Sequence, residues 1–168
     1  MLEKTDEMAL RDDYVRAMRN VANSVTVVTT DGPAGCHGAT VSSFCSVSAD
    51  PPTILVCLNK EGRTVHALEE NGNFCVNVLP EGETEIAKLF AGLVGDLEDD
   101  RFANGEWRNS IGIAPCLDDV TAFHCKDVKI VAATSHMICI GQVEAVQRGT
   151  KRPLLYLDGN FCKTKSPD

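Results

Sequence analysis

The sequence G-A-T-V-S-S-F-C-S-V-S-A-D-P-P occupies residues 38–52 and contains four serines and one threonine, with almost no charge. Three apolar residues between the hydroxyls, Val41, Phe44 and Val47, predict strand structure with one side facing a core. Hydroxyl and backbone N–H groups bind polar ring edges and phosphates without adding cations. The block therefore predicts one wall of a site for a flat, amphipathic ligand.

The pattern outward from this block predicts a mainly β protein, a β-barrel with a few helices. We predict an amphipathic N-terminal helix over about residues 4–20, with Leu10, Tyr14 and Met18 on its apolar side. The further strands are predicted at 24–30, 53–59, 74–79, 120–133, 137–147 and 154–157, and two short helices at 64–71 and 83–90. A long loop, 94–112, contains Arg101, Phe102 and Trp107. The length favours one domain spanning 1–168, with the barrel over about 24–163.

The charge balance disfavours two classes of partner. The chain carries 24 acidic and 16 basic side chains, a formal net charge of −8. Such a balance disfavours an extended contact with nucleic acid or with an anionic membrane surface.

The charged N-terminus lacks an apolar signal-peptide core, and no run approaches the roughly 18 apolar residues of a spanning helix, so we expect a cytoplasmic protein.

The eight cysteines form no C-x-x-C pair and therefore predict no zinc site and no metal. Cys45, Cys57, Cys75 and Cys139 lie in apolar runs, which predicts free, buried thiols in a reducing compartment. Cys36 and Cys162 lie near turns and are expected to be more open to oxidation.

Several motifs, in order along nearly the whole chain, resemble those of one family. They are A-M-R-N-V-A-N-S-V-T-V-V-T-T-D-G, the 38–52 block, V-C-L-N, F-C-V-N-V-L, L-F-A-G, D-R-F, H-M-I-C-I-G-Q-V and P-L-L-Y-L-D-G-N-F. The chain resembles the short-chain flavin reductases, which have an FMN-binding split β-barrel and serve as reductase components of two-component flavin-dependent monooxygenases. It is similar to the subgroup of 4-hydroxyphenylacetate 3-monooxygenase reductases and of reductases for pyrimidine-ring oxygenases.

The resemblance implies three groups of cofactor-binding residues. The first, at the flavin ring edge, is Thr40, Val41, Ser42 and Ser43; the second is Ser46, Val47 and Ser48. The third is Asn59, Lys60, Arg63 and Thr64, two of them cations suited to a phosphate. The second and third groups together would bind the ribityl chain and the phosphate. The alternatives are an edge strand whose hydroxyls meet only water, and a solvated turn. Many relatives carry asparagine at Ser42, so ring-edge contacts are expected to weaken or to shift to the backbone. Relatives commonly carry Thr-Gly at Asn23-Ser24, so a left-handed glycine geometry there is expected to be relaxed.

The resemblance also implies a catalytic role for His136, on the nicotinamide side of the flavin. It would orient the dihydronicotinamide without acting as a proton donor; the alternative is an ordinary turn histidine. Phe161, after Gly159, occupies the position of a family aromatic that stacks on nicotinamide or covers the flavin. Phe90 would close one side of the site or simply pack in the core. Arg101, Phe102 and Trp107 would anchor a loop over the site or at a subunit boundary.

The activity that the resemblance implies is an NAD(P)H:flavin oxidoreductase. It would reduce FMN or FAD with NADH or NADPH and supply reduced flavin to a separate flavin-dependent oxygenase component. A homodimer, with each site near the subunit interface, is implied as well. The alternatives are a non-catalytic flavin-binding protein on the same barrel, an oxidase of the pyridoxamine-phosphate type, and a heme-utilisation barrel.

Overall fold

The computed structural model describes residues 2–95, 100–108 and 114–165, with side chains from residue 7 onward. Three α-helices occur in these ranges: α1 (Leu2–Met18), α2 (Arg63–Asn71) and α3 (Thr84–Phe90). The strands are β1 (Asn23–Ser24), β2 (Thr26–Thr30), β3 (His37–Val41), β4 (Cys45–Ala49), β5 (Pro52–Asn59), β6 (Phe74–Val78), β7 (Trp107–Arg108), β8 (Cys116–Leu117), β9 (Thr121–Ala133), β10 (His136–Gln147), β11 (Leu155–Leu157) and β12 (Asn160–Cys162). The mainly β class predicted from the sequence is confirmed.

Seven strands form one antiparallel sheet in the order β3-β2-β6-β9-β10-β5-β4. Its central strands are rich in β-branched and aromatic residues, which suit a pleated, half-buried surface. All five residues of β2 are buried, and β5 alternates, with Ile54, Val56 and Leu58 buried. A second sheet has the order β1-β11-β12, and β7 pairs with β8.

The 38–52 block forces the large sheet to curl. β3 and β4 are its two outermost strands, yet only residues 42–44 separate them in the chain. Val41 and Cys45 are therefore at most about 14 Å apart, whereas seven strands laid flat would span about 29 Å. Phe44 confirms the curl, because its ring centroid lies 5.5 Å from that of Phe123 on the central strand β9.

Buried side chains form two hydrophobic clusters beneath the short helices. The α2 cluster joins α2 to β2, β5, β6, β9 and β10 and includes Val65, Leu68, Phe74 and Val76. The α3 cluster joins α3 to β2, β6 and residues 114–122, and Phe102, Trp107 and Phe161 pack against it. α2 and α3 each pack beside β3, so they flank the first half of the 38–52 block.

Helix α1 forms where the sequence predicted a helix, but its apolar residues do not pack against the sheet. Leu10 is 71%, Tyr14 62% and Met18 43% exposed. The described side chains of α1 are exposed along its length, so this helix derives little stability from its own chain. No described helix has the length and apolar character needed to span a membrane.

Candidate functional site

His136 meets Asn59 and Lys60 through the pairing of three strands. It opens β10, lies opposite Asn59 at the end of β5, and lies opposite Ala133 in β9. The Lys60 N–H donates to the Ser135 carbonyl oxygen at 3.1 Å. Asn59 and Lys60 from one stretch and His136 from another were predicted to belong to one site, and they are neighbours where β5 ends and β10 begins.

The His136 side chain is exposed, and its Nδ1 lies 2.9 Å from the Ser135 hydroxyl. This contact limits rotation of the imidazole and leaves Nε2 directed away from Ser135. The ring is thus held by a contact within its own turn, and its role toward the nicotinamide stays a prediction.

Asn59 shapes the turn that leads into α2. Its Oδ1 accepts the Glu61 N–H at 3.0 Å, and its carbonyl oxygen accepts the Gly62 N–H at 3.0 Å. Helix α2 then begins at Arg63 with Gly62 as its N-cap, which offers no side-chain cap. The first N–H groups of α2 therefore depend on other acceptors, and a phosphate is a suitable one.

The cations of this turn differ in their surroundings. Lys60 is half-exposed and lies 3.9 Å from the Glu61 carboxylate, a surface pair of little strength. Arg63 is exposed, whereas Thr64 is only 7% exposed and packs at the start of α2. Lys60 and Arg63 thus place two positive charges within one turn, and the backbone of Lys60 contacts Ser135, the neighbour of His136 in the chain.

The hydroxyls of the 38–52 block have unequal roles. The Thr40 hydroxyl donates to the Ala87 carbonyl oxygen at 2.7 Å and ties β3 to α3. The Ser43 hydroxyl donates to the Cys57 carbonyl oxygen and accepts the Cys57 N–H, both at 2.9 Å. β4 pairs with β5 only as far as Leu55. Beyond Leu55, the Ser43 side chain supplies the hydrogen bonds that a neighbouring strand would otherwise give to β5.

Ser42 and Ser46 are exposed, and their hydroxyls have no hydrogen-bond partner among the described residues. Ser48 closes a local turn, in which its hydroxyl contacts the Asp50 N–H and carbonyl oxygen. The two exposed serines and the unpaired backbone of the edge strands are therefore the groups open to a ligand.

Two expectations for this block are wrong. Val47 was expected to face the core, but it is 51% exposed, because the register of β4 against β5 shifts between Ser46 and Ser48. Cys45 was expected to be buried and is exposed at the sheet edge. Val41 and Phe44 do pack against the α2 cluster, as expected.

A cavity of about 600 Å³ lies between α2 and α3 over the start of β3. We call it the Phe90 cavity; its walls are residues 36–39, 61–64, 90–92 and 100–102. It brings together Arg63, Thr64 and Phe90, and it adds Arg101 and Phe102 from the loop predicted to lie over the site. The part played by residues 36–39 was missed, although they directly precede the hydroxyl-rich block in the chain.

Three aromatic rings stiffen one wall of the Phe90 cavity. The ring centroids of Phe90, Phe102 and Trp107 are mutually 5.1 Å apart. The Trp107 indole N–H donates to the Asn104 carbonyl oxygen at 2.7 Å. Phe90, at 2% exposed, therefore both packs in the core and closes the cavity.

Cys36 lies at the cavity wall as a protonated thiol. Partial burial, and then the carboxylates of Asp31 and Asp100, raise its pKa to about 12. Because the thiolate is the nucleophile, Cys36 is not an activated nucleophile near neutral pH.

Gly159 and Phe161 lie elsewhere, in the β1-β11-β12 sheet. Gly159 occupies the turn between β11 and β12 with φ of 76°, and Phe161 packs edge-on against Tyr156 at 5.5 Å. Neither lines the Phe90 cavity or pairs with the strands that carry His136. Their roles toward the cofactor stay predictions.

The described residues contain no group of three or more His, Cys, Asp or Glu side chains arranged to hold a metal ion. All eight cysteines are free thiols. His124 is 2% exposed, and burial lowers its pKa.

Comparisons with known proteins agree with this description. Residues 18–165 match the model of the flavin reductase like domain. An FMN reductase (NADH) RutF of Ancylobacter novellus is 41% identical over 153 residues, which cover 90% of this chain and 83% of that protein. The NADH:FAD oxidoreductase SgcE6 of Streptomyces globisporus is 27% identical with a TM-score of 0.84, over 93% of this chain and 94% of SgcE6. BorF, the flavin reductase component of a bacterial two-component tryptophan halogenase, is 30% identical with a TM-score of 0.82, over 93% of this chain and 99% of BorF. The chain therefore belongs to the flavin reductase-like domain family.

Proposed function

We propose that this protein is an NADH-dependent flavin reductase that supplies reduced flavin to a separate flavin-dependent oxygenase component. The observation that carries the proposal is the meeting of His136, Asn59 and Lys60 beside the hydroxyl-rich edge of a curled sheet. The family match covers nearly the whole chain, and two of the relatives named above, RutF and SgcE6, are reductases of FMN and FAD respectively.

The residues present fit a flavin. The exposed hydroxyls of Ser42 and Ser46 and the backbone of the outermost strands offer donors and acceptors for the carbonyls and nitrogens of the ring. The hydroxyls of Thr40 and Ser43 are donated to Ala87 and Cys57, so we propose that these two residues contact the ring through their backbone. Val41 and Val47 supply apolar surface beside these groups.

The phosphate of FMN would lie at the start of α2. Lys60 and Arg63 supply charge there, and the uncapped N-terminal N–H groups of α2 supply oriented donors. Asn59, whose Oδ1 is engaged by Glu61, retains its amide NH₂ for the ribityl hydroxyls. Thr64 would complete this contact from the first turn of the helix.

A bound flavin supplies the hydride-accepting N5 atom for reduction by the dihydronicotinamide. The chain contributes orientation: His136 would hold the carboxamide of the nicotinamide so that its C4 faces the ring. Such positioning lowers a barrier by several kcal/mol when the reacting atoms are held in near-attack geometry. No proton transfer by a protein group is required, and Gly159 and Phe161 would cover the site from the smaller sheet.

The decisive experiment is anaerobic mixing of the protein with FMN and NADH. We expect catalytic loss of oxidised-flavin absorbance, with many equivalents of flavin reduced per protein. The rival is a non-catalytic flavin-binding protein on the same fold. Tight binding of flavin with an unchanged spectrum after NADH addition would favour that rival and refute the reductase.

We also propose a homodimer. The described part of α1 packs little against its own chain, and an isolated helix of this length is marginal in water. A second copy covering Leu10, Tyr14 and Met18 would account for a stable helix there.

The eight free thiols and the need for NADH favour the cytoplasm as the compartment of this protein.

A further inference from the structure

The short strand β8 is fastened to the large sheet by side chains rather than by strand pairing. β8 pairs with β7 in a two-stranded sheet, so among the described strands no backbone ladder joins it to the seven-stranded sheet. The amide side chains of Asn77 in β6 and Gln147 at the end of β10 both reach its backbone. Asn77 is completely buried, and a buried amide is costly unless it is hydrogen-bonded. The two amides therefore perform a task that strand pairing leaves undone.

Leu117, in β8, is hydrogen-bonded through both of its backbone polar groups. Its N–H donates to Asn77 Oδ1 at 2.9 Å, and its carbonyl oxygen accepts from Gln147 Nε2 at 2.8 Å. The same Gln147 nitrogen donates to the Val120 carbonyl oxygen at 2.9 Å. Asn77 Nδ2 donates to the Val27 carbonyl oxygen at 3.1 Å, which fixes the orientation of the amide. The position of Leu117 is thus set by side chains of the large sheet.

The position of Leu117 in turn determines that of Trp107 in β7. The two residues lie opposite each other in the register of β7 and β8, and next to them the Asp118 N–H donates to the Glu106 carbonyl oxygen at 3.1 Å. A Cβ atom at Gly105 would lie 3.1 Å from Leu117 Cδ2 and 3.2 Å from Trp107 Nε1, so the three residues are closely packed. A displacement of Leu117 would therefore displace Trp107.

Trp107 contacts the wall of the Phe90 cavity that carries Arg101 and Phe102. The ring centroid of Trp107 lies 5.1 Å from those of both Phe90 and Phe102. Arg101 precedes Phe102 in the chain, and its Nη1 donates to the Phe90 carbonyl oxygen at 3.5 Å. Arg101 and Phe102 line the same cavity as Arg63, to which the proposed function assigns the phosphate of FMN.

We propose that Asn77 and Gln147 are positioning residues of the flavin site. They hold Leu117, Leu117 holds Trp107, and Trp107 holds the wall that lies in one cavity with Arg63. Neither amide is among the residues that line this cavity, so both act through the contacts between. The inference rests on the proposed reductase function, and it concerns the affinity for the phosphate end of the flavin rather than the chemistry at the ring.

The place of Gln147 in β10 separates this role from that of His136. His136 begins β10 and Gln147 ends it, so the two residues are about 37 Å apart along an extended strand. A change at Gln147 should therefore leave the nicotinamide end of the site unaffected.

The test compares Gln147→Met and Asn77→Leu with the wild type. Both substitutions keep the approximate volume of the side chain and remove its hydrogen bonds. Gln142→Met is the matched control, because Gln142 is an exposed residue of the same strand and undergoes the same substitution. Dissociation constants of FMN and riboflavin are measured by titration, the KM for NADH by steady-state assay, and the exposure of Trp107, the single tryptophan, by acrylamide quenching of its fluorescence. Thermal unfolding reports whether each variant is folded.

We expect Gln147→Met and Asn77→Leu to weaken FMN binding by roughly threefold to tenfold, the value of one neutral hydrogen bond. Riboflavin, which lacks the phosphate, should be affected much less, so the preference for FMN falls. Acrylamide should quench Trp107 more strongly in both variants. The KM for NADH should stay at its wild-type value, and Gln142→Met should change none of these quantities.

An unchanged preference for FMN in folded variants would overturn the proposal, and so would unchanged quenching of Trp107. Asn77 lies in the centre of the sheet; if Asn77→Leu does not fold, the result for Gln147→Met decides, because Gln147 is half-buried at the end of its strand. Loss of folding in Gln147→Met would also overturn the proposal, because the amide would then serve the whole fold. Titration and quenching need no turnover, so a protein whose preference falls as expected but which reduces no flavin would refute only the reductase function.

Discussion

Ser42 and Ser43 are adjacent in the chain but serve different purposes. The Ser43 hydroxyl satisfies both polar backbone groups of Cys57, and the Ser42 hydroxyl faces solvent. We expect Ser43→Ala to lower the free energy of unfolding by about 1–3 kcal/mol, because two backbone groups lose their partner. Ser42→Ala should leave stability unchanged and weaken flavin binding. Urea unfolding and flavin titration of both variants check this pair, and equal effects on stability would contradict it.

His136 is expected to act on the nicotinamide rather than on the flavin. Its imidazole is oriented by Ser135 at 2.9 Å and lies beside Asn59. His136→Ala should therefore raise the KM for NADH several-fold while the dissociation constant of FMN changes much less. Steady-state kinetics and flavin titration on the same preparation measure both, and parallel changes would remove His136 from the nicotinamide side. His66→Ala, on the exposed side of α2, is the control.

His124 couples stability to pH. It is 2% exposed, its Nδ1 has no hydrogen-bond partner among the described residues, and burial lowers its pKa from the ordinary value of 6.5. In the unfolded chain His124 takes up a proton near pH 6.5, whereas burial opposes this protonation in the folded chain. The free energy of unfolding is therefore fully retained above that pH and falls as the pH drops below it. Urea unfolding at pH 7.5 and 5.5 should show this loss. His124→Gln, which does not titrate, should show a smaller loss; an equal one would assign the effect to other groups.

At the scale of elements, the approach of α3 to β3 sets the shape of the Phe90 cavity. A Cβ atom at Gly38 would lie 2.7 Å from Cε1 and 2.8 Å from Cδ1 of Phe90, whose ring is fixed by Phe102 and Trp107. We expect Gly38→Ala to destabilise the protein by about 1–3 kcal/mol and to shift the emission of Trp107, the single tryptophan. In a double variant with Phe90→Leu the two effects should be less than additive. Strict additivity would show that the contact is not the cause.

The longer strands could be predicted, because β-branched runs and Gly/Pro turns are local signals, whereas the two- and three-residue strands β7, β8 and β12 were not predicted. The bounds of α2, β5, β9 and β10 differ from the predicted ones by a single residue. The outward direction of Val47 depends on a register shift that no local pattern encodes. The Phe90 cavity unites four distant stretches, so only the packing of α2 and α3 against β3 could define it. The junction of His136 with Asn59 was predicted only through the family resemblance.

At the scale of the whole molecule, the described side chains of α1 are exposed. Leu10 and Tyr14 are separated by one helical turn and are 71% and 62% exposed. We expect light scattering to give twice the chain mass of 18.1 kDa, and Leu10→Asp with Tyr14→Asp to give the single-chain mass. Leu93→Asp, at a residue that is equally exposed but follows α3, is the control. A wild-type protein that stays monomeric at micromolar concentration would contradict the dimer.

The junction between β3 and β4, the two outermost strands of the large sheet, determines how this sheet can open. Residues 42–44 and the Ser43–Cys57 hydrogen bonds form a seam that fastens β3 near β5. A planar ligand bound across the seam would hold β3 and β4 together, because the two strands could separate only after the ligand had dissociated. Amide hydrogen exchange should therefore slow in β3 and β4 together when flavin is added, while α1 exchanges at an unchanged rate.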